Sequence, residues 1–342
     1  MSSTTLSRRQ QRQQSLSAEG IRERARRPWR WRSECVGAIS VGFVALLGVV
    51  LLPHLFRHTL LIHLDQARLH AGVGILACGL VFAIFGARLR AFLSAVIGVV
   101  ILGTVGFFFV SMQLPMAADR DPELTLVSFN VLGVNPRGEE IARYLVDTAP
   151  DIALILENEP LHDQTALLTP VFPFTAGCVD GGRCDMAVHS RYPLRDIEVL
   201  PFFTTEGRLI RARIDLPGRD VTLLAAHLTK PYHGAWHGLQ MDILVDQLAR
   251  IEGPVILAGD FNSQAFVPAF REHLIEASGM RLISGMRPTW PALEAGPLSY
   301  AGFAIDHVLA RGDVVPISAD RIDDPMGSNH HGLITQFDLD GQ

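Results

Sequence analysis

Six segments that read as strands stop, or in the last case begin, on residues able to do chemistry. "LTLVSFN" ends in Asn130, "DIALILE" in Glu157, "LLAAHL" near His227, "ILAGDFN" in Asp260 and Asn262, and "FAID" in Asp306, while "GSNHHG" supplies His330 just ahead of the last strand. Asp and Asn favour tight turns, so one such ending alone is turn chemistry. Glu and His are not turn formers, and burying them without partners costs several kcal/mol. Their recurrence predicts one shared polar centre. One Glu with amide oxygens and nearby carboxylates suits a hard cation such as Mg2+ or Mn2+. Two His and two Asp then remain for proton transfer and charge stabilisation, and attack of water on a phosphoryl group is the reaction this set fits. A serine nucleophile with its elbow, a P-loop and a dinucleotide fingerprint are all absent.

The strands that would carry these residues are "LTLVSFNV", "DIALILE", "CDMAVHS", "RLIRARIDL", "DVTLLAAHL", "PVILAGDF", "AIDHVLA" and "HGLITQFDL", with helices at Glu139 to Thr148, Leu239 to Ile251 and Val267 to Glu276. Strands and helices mixed at this density predict a layered α/β domain.

The 342 residues are 48% apolar, and their charge is unevenly placed. Residues 1–114 hold 13 Lys or Arg against 4 Asp or Glu, and residues 115–342 hold 17 against 31, so the front is +9 and the remainder −14. The division expected is a disordered basic tail at 1–33, a membrane region at 34–114, a polar linker at 115–123 and the catalytic domain at 124–342. The apolar runs Val36 to Leu52, Ala71 to Ala87 and Ala91 to Val110 are the length of transmembrane helices, and the second carries Gly72, Gly74 and Gly79. Arg88 and Arg90 join the basic tail on the cytoplasmic side, which sends the acidic domain to the periplasmic or extracellular face of the cell's inner membrane. In that location a disulfide between Cys178 and Cys184, which flank "VDGGR", is favoured over the alternative of a free pair of thiols.

In order and in local wording, "SFNV", "DIALILE", "AVHSRYPL", "AAHL", "GDFN", "IDHVL" and "SNHHG" resemble the motifs of the endonuclease/exonuclease/phosphatase superfamily, also called deoxyribonuclease I-like. The match runs from about Leu124 to Leu339, and the chain looks like a bacterial-type, membrane-anchored member. The resemblance implies a four-layer sandwich, two packed β-sheets flanked by helices, here preceded by three transmembrane helices. It implies that Glu157 binds the divalent ion, with Asn130 helping to set the metal site. His330 would be the catalytic histidine and Asp306 would hold its ring. Asp260 would orient or activate water, Asn262 would donate to a phosphoryl oxygen, and His227 would lie near the leaving group.

Two positions depart from the family pattern: Asn329 stands where "SDH" has Asp, and Gly332 stands where Pro is common. Loss of turnover, leaving a membrane-anchored binding or sensor module, is the alternative that Asn329 raises. A passive membrane protein would instead leave the motif residues scattered. His307 and His331 adjoin motif residues and are expected to point the other way. His233 and His237 are expected at the cleft mouth with Tyr232 and Trp236, in a loop imposed by Pro231 and Gly234. Arg208 and Lys230 are read either as phosphate contacts or as solvated charges. The expected partners are a phosphodiester substrate (nucleic acid, lipid head group or small phosphodiester) and the bilayer, and no protein partner is inferred. The −14 charge weighs against non-specific nucleic-acid binding. The orientation predicts that alkaline phosphatase fused after Gln342 is active in cells; a fusion active only for a cytoplasmic reporter would reverse it.

Overall fold

The computed structural model describes residues 8–56, 61, 63–177, 185–202, 205–292 and 297–339, so the expected disulfide of Cys178 and Cys184 lies outside the described residues. The chain divides into two compact units, one of 1–55 with 67–104 and the other of 56–66 with 105–342.

In the first unit a helix runs unbroken from Arg8 to Leu55. The basic stretch expected to be disordered is therefore helical from Arg8, in keeping with its many Arg, Gln, Glu and Ala residues, which are good helix formers. Three segments, Trp31–Leu55, His63–Ile84 and Arg88–Met112, are long and apolar enough to cross a membrane. The glycines of the second serve packing: a Cβ on Gly72 would lie 2.8 Å from Leu102, and one on Gly79 would lie 3.1 Å from Ser94 Cβ. Small residues at such crossings let helices approach closely.

Among the described residues the second unit has strands β1 (Leu124–Asn130), β2 (Ile152–Leu156), β3 (Phe174–Gly177), β4 (Met186–Ser190), β5 (Leu194–Phe202) and β6 (Thr205–Leu216). These are followed by β7 (Arg219–His227), β8 (Val255–Asp260), β9 (Arg281–Leu282), β10 (Asp306–Arg311), β11 (Val315–Arg321) and β12 (Leu333–Asp338). One sheet has the order β11-β12-β1-β2-β4-β3 and the other β5-β6-β7-β8-β10-β9. At their centres β1 pairs with β2, and β7 with β8, in parallel. The eight strands expected from sequence are the interior ones, and β3, β5, β9 and β11 are the four edges. Most interior strands are covered on both faces and read as apolar runs, and β6 and β12 read as alternation, whereas an edge strand such as "LRDIEVLPF" mixes charge and Pro with apolar residues.

Alternation along each interior strand divides the core. Leu124 and Leu126 of β1, Leu223 and Ala225 of β7, and Ile256 and Ala258 of β8 meet between the sheets. Val127 and Phe129 face outward with Ile141 and Leu145 of the helix Gly138–Thr148. Leu224 and Leu257 face outward with Met241 and Leu244 of the helix Ala235–Ala249, beside a helical turn Pro268–Phe270 that continues as a π-helix over Arg271–Glu276. The result is two mixed sheets packed face to face with helices outside.

Residues 113–123 lie against this sandwich. Leu114 N–H donates to Leu282 O (2.9 Å), Ala117 N–H to Pro316 O (2.8 Å) and Glu123 N–H to Phe337 O (2.9 Å), while Arg120 pairs with Asp338 at 2.5 Å.

Gly259 is the point where this packing leaves no room. Its φ is 141°, and a Cβ there would sit 1.9 Å from Ala226 O on the paired strand. Replacement Gly259→Ala is expected to force β7 and β8 apart and to destabilise the domain by about 4 kcal/mol or more, read as a loss of the cooperative thermal transition or a large fall in its midpoint.

Candidate active site

Three of the expected residues are neighbours by strand register. His227 at the end of β7 and Asp306 at the start of β10 are both Cα partners of Asp260 at the end of β8. On the alternation above, positions 130, 227, 260 and 306 share the inward parity of their strands, so their side chains converge at one end of the space between the sheets. His307, one residue on, is directed the other way into the outer core, where its ring lies 5.1 Å from Phe270 and its Nε2 is 2.8 Å from Ser263 O. Burial pushes its pKa down to about 4, though the Ser263 carbonyl and Asp306 oppose this. His331 likewise turns away, with Nδ1 3.1 Å from Ile322 O.

Asp260 is the hub, 1% exposed. Its Oδ1 accepts from the N–H of Asn262 (2.8 Å), and its Oδ2 accepts from Asn130 Nδ2 (3.2 Å). The same Oδ2 lies 3.6 Å from His227 Nε2 and 3.8 Å from His330 Nε2. Burial, then the Asp306 carboxylate, pushes the Asp260 pKa up; His330, His227 and the Asn262 N–H pull against that.

Each imidazole has its own carboxylate behind it. His330 Nδ1 is 2.9 Å from Asp306 Oδ2, and the loop carrying it is tied down by Ser328, whose hydroxyl donates to Asn130 O (2.6 Å) and accepts from the His330 N–H (3.0 Å). Burial disfavours the charged ring, but Asp306, Asp260 and Glu157 outweigh it and raise the His330 pKa to about 9. His227 Nδ1 is 2.5 Å from Asp185 Oδ2, and Arg208 lies 3.3 Å from the other oxygen of Asp185. Burial again opposes the charge on His227, and Asp185 and Asp260 overcome both burial and Arg208 to raise its pKa. For Asp185, burial acts upward, and His227 and Arg208 overcome it to hold the carboxyl below its usual range.

Glu157 follows β2 with φ at 54°, which takes it off the strand's alternation. Its Oε2 accepts from Gly133 N–H (2.9 Å) and its Oε1 from Asn130 Nδ2 (3.2 Å). A Cβ on Gly133 would lie 2.9 Å from the carboxylate end of Glu159, a flexible side chain that can move aside. Asn130 thus has its amide hydrogens on Glu157 and Asp260, and its Oδ1 accepts from Leu132 N–H at 3.2 Å. Asn262, at φ 50°, gives one amide hydrogen to Leu228 O (2.9 Å).

All seven expected residues therefore come together. Asp260, Asp306 and His330 also bring one potential ligand atom each within 4.8 Å of one another. Within this trio His330 has Asp306 at 2.9 Å from Nδ1 and Asp260 at 3.8 Å from Nε2.

Asp185, Arg208, Glu159 and Ser328 were not singled out for these contacts by sequence reading. The one signal for Asp185 was a carboxylate at the head of the buried run "DMAVHS". The expectation for His237 is corrected: the helix starts at Ala235, and His237 is buried within it with Nδ1 2.7 Å from Thr229 O, away from the cleft mouth. Pro231 opens only a short 3-10 turn, Pro231–His233, and lies ahead of that helix.

The centre opens into two lobes that share Glu157, His227, Lys230 and Asn262. One, of about 340 Å3, is polar and includes Glu159, Asp185, Arg208 and Thr229. The other, of about 330 Å3, adds Tyr232, Trp290, Phe303, Ile305 and the exposed Asn329. A larger hollow of about 700 Å3 at the outer strands carries none of the chemistry; there Arg211 pairs with Glu198, and Arg213 with Asp196 and Asp220.

Residues 127–330 match the model of the Endonuclease/Exonuclease/phosphatase family. The chain belongs to this family. Solved structures with the same fold include humanized D. rerio TDP2 (20% identity over 63% of this chain and 98% of that one, TM-score 0.50) and D. rerio TDP2 complexed with a single strand DNA product (19%, 63% and 98%, 0.50). Another is the endonuclease/exonuclease/phosphatase from Beutenbergia cavernae DSM 12333 (18%, 64% and 72%, 0.51). No curated protein matches the sequence.

The His330–Asp306 pair makes stability depend on pH with a defined sign. The folded state holds a proton up to about pH 9 that an ordinary histidine releases near 6.5. Its contribution is complete below about 6.5 and is lost as pH rises through 9. In chelator, the melting temperature of the full chain is expected to fall across that window. Asp306→Asn should flatten the dependence and cost about 3–5 kcal/mol, because it leaves a buried charge unpaired.

Proposed function

We propose that this family member is a membrane-anchored phosphodiester hydrolase that depends on a divalent metal, Mg2+ or Mn2+, and acts by attack of water on phosphorus. The observation that carries the reading is the Asp260 carboxylate flanked by two carboxylate-backed imidazoles, beside a Glu157 carboxylate that opens to both lobes.

The donor set fits such a cation. Glu157 is half-buried, offers hard oxygens to the cleft and is steered by Asn130 and Gly133, with further carboxylates nearby. Bound there, the ion would polarise a phosphoryl oxygen as a Lewis acid. Asn130, with both amide hydrogens engaged, acts as a positioning residue for Glu157.

Proton transfer is assigned to the chain's own groups. Water attacks phosphorus while its proton passes to Asp260, whose raised pKa suits it to accept one. The bond from phosphorus to the leaving oxygen breaks, and that oxygen takes a proton from His227, kept charged by Asp185. Asp260 is 3.6 Å from His227 Nε2 and can return the proton, which restores both groups. Charged His330 and the second amide hydrogen of Asn262 face the negative charge that builds on the phosphoryl oxygens.

The three apolar helices fit an anchor with the basic tail cytoplasmic and the catalytic domain periplasmic or extracellular. Nucleic acid, lipid head groups and small phosphodiesters are the substrate classes to compare, and the DNA product held by D. rerio TDP2 keeps the first among them. The second reading is a binding or sensor module without turnover, favoured by Asn329, which adds no negative charge at the cleft.

With the full chain in nanodiscs, hydrolysis of bis-p-nitrophenyl phosphate is expected to need Mg2+ or Mn2+ and to drop by about 100-fold or more in His330→Ala and in Glu157→Gln. A folded protein that binds the metal but turns nothing over would favour the binding module.

A further inference from the structure

One wall of the apolar lobe comes from outside the sandwich. His63 and Gln66, in the 3-10 turn His63–Ala67 that opens the second apolar segment, belong to the same unit as the sandwich and line this lobe together with the strand-end residues. Gln66 is clamped to the loop that directly follows Asp260 and Asn262: its Nε2 donates to Ser263 Oγ (3.0 Å), its Oε1 accepts from Gln264 N–H (2.8 Å), and its carbonyl accepts from the Gln264 side chain. Both ends of the amide are satisfied, which a half-buried glutamine needs if it is to hold one position. His63 sets its ring edge-on to Tyr232, with centroids 5.8 Å apart at 81°.

The same lobe is lined by Trp290 and Phe303, whose rings are tilted at 34° with centroids 6.1 Å apart and whose backbones hydrogen-bond in both directions, and by Ile305. Trp290 is 37% exposed and Tyr232 53%, a large outlay of aromatic surface beside a charged centre. In a binding cleft, apolar surface of this kind gains free energy only when an apolar group covers it.

We propose that the segment His63–Gln66 is a specificity-determining wall, pinned by Gln66 to the loop after β8, and that the lobe it closes takes an apolar alkyl or aryl substituent of the phosphodiester. This rests on the hydrolase reading for the adjoining polar centre. Gln66 acts through Ser263 and Gln264 and is a positioning residue; His63, Tyr232, Trp290, Phe303 and Ile305 make the contact. The polar lobe, with Arg208, Lys230 and Glu157, is left for the phosphate.

The test uses the full chain in nanodiscs with two esters that release the same p-nitrophenolate: p-nitrophenyl hexyl phosphate and p-nitrophenyl methyl phosphate. Wild type is expected to favour the hexyl ester in kcat/KM by about tenfold, as burial of several methylenes allows. Gln66→Ala and Trp290→Ala should each bring that ratio near one. Ser263→Ala should lower it too, and adding it to Gln66→Ala should have little further effect. A wild-type ratio near one, or a Gln66→Ala ratio equal to wild type, overturns the inference. So does an equal loss on both esters, which would mean general damage.

If wild type turns over neither ester, it is the hydrolase reading that falls. Binding then decides the inference, through quenching of fluorescence by hexyl methyl phosphate after subtraction of the Trp290→Phe signal. Weaker binding to Gln66→Ala than to wild type upholds the wall, and equal binding overturns it.

Discussion

The buried carboxylate of Asp260 is the constraint on which the rest of the structure depends. A carboxylate 1% exposed is tolerable only where donors and positive charge surround it. Here an amide from β1, a backbone N–H from its own loop and two imidazoles supply them, from four separate parts of the chain. The imidazoles are themselves buried and need charge partners, which brings in Asp306 and Asp185, and Asp185 in turn brings in Arg208. The centre is thus a chain of mutual compensations, and its perturbed pKa values follow from the same burial and pairing that hold it together.

The sandwich is well suited to deliver such a set. Parallel pairs β1–β2 and β7–β8 lie at the middle of each sheet, and the bond between Asn130 and Asp260 places their carboxyl ends at the same end of the inter-sheet space. Between those ends the facing side chains are aliphatic, small enough at Ala225 and Ala258 to let the sheets close. The apolar interior stops where the polar residues begin, and the low dielectric of that boundary makes each ion pair count for more than it would in water.

Two lobes of opposite character meet at Glu157, His227, Lys230 and Asn262. Under the proposed function, such a junction would orient a molecule that is charged at one end and apolar at the other. Residues 56–66, which include the start of the second apolar segment, and 105–123, which include the end of the third, belong to the unit that holds the sandwich. The division of the chain by composition, into membrane part and soluble part, is therefore not the division by packing: short polar segments beside the apolar helices find their hydrogen-bond partners in the sandwich.

Much of this was legible in the residues. Strands buried on both faces read as apolar runs and strands such as β6 and β12, buried mainly on one face, read as alternation, so the eight interior strands stood out, and a Glu or His at the end of a buried run has no turn role to explain it. That reasoning reached Asn130, Glu157, His227, Asp260, Asn262, Asp306 and His330, and alternation correctly turned His307 and His331 away. The four edge strands were not legible, because pairing on one side only imposes no continuous apolar pattern. The pairings of Asp185, Arg208 and Ser328 were not legible for a related reason: their partners, His227, Asp185 and Asn130, lie 42, 23 and 198 residues away. Likewise nothing in "LIHLDQARLH" announces that Gln66 will meet Ser263 and Gln264. Local composition determines which segments are buried and where each must stop; only strand register and sheet packing decide which of those ends become neighbours.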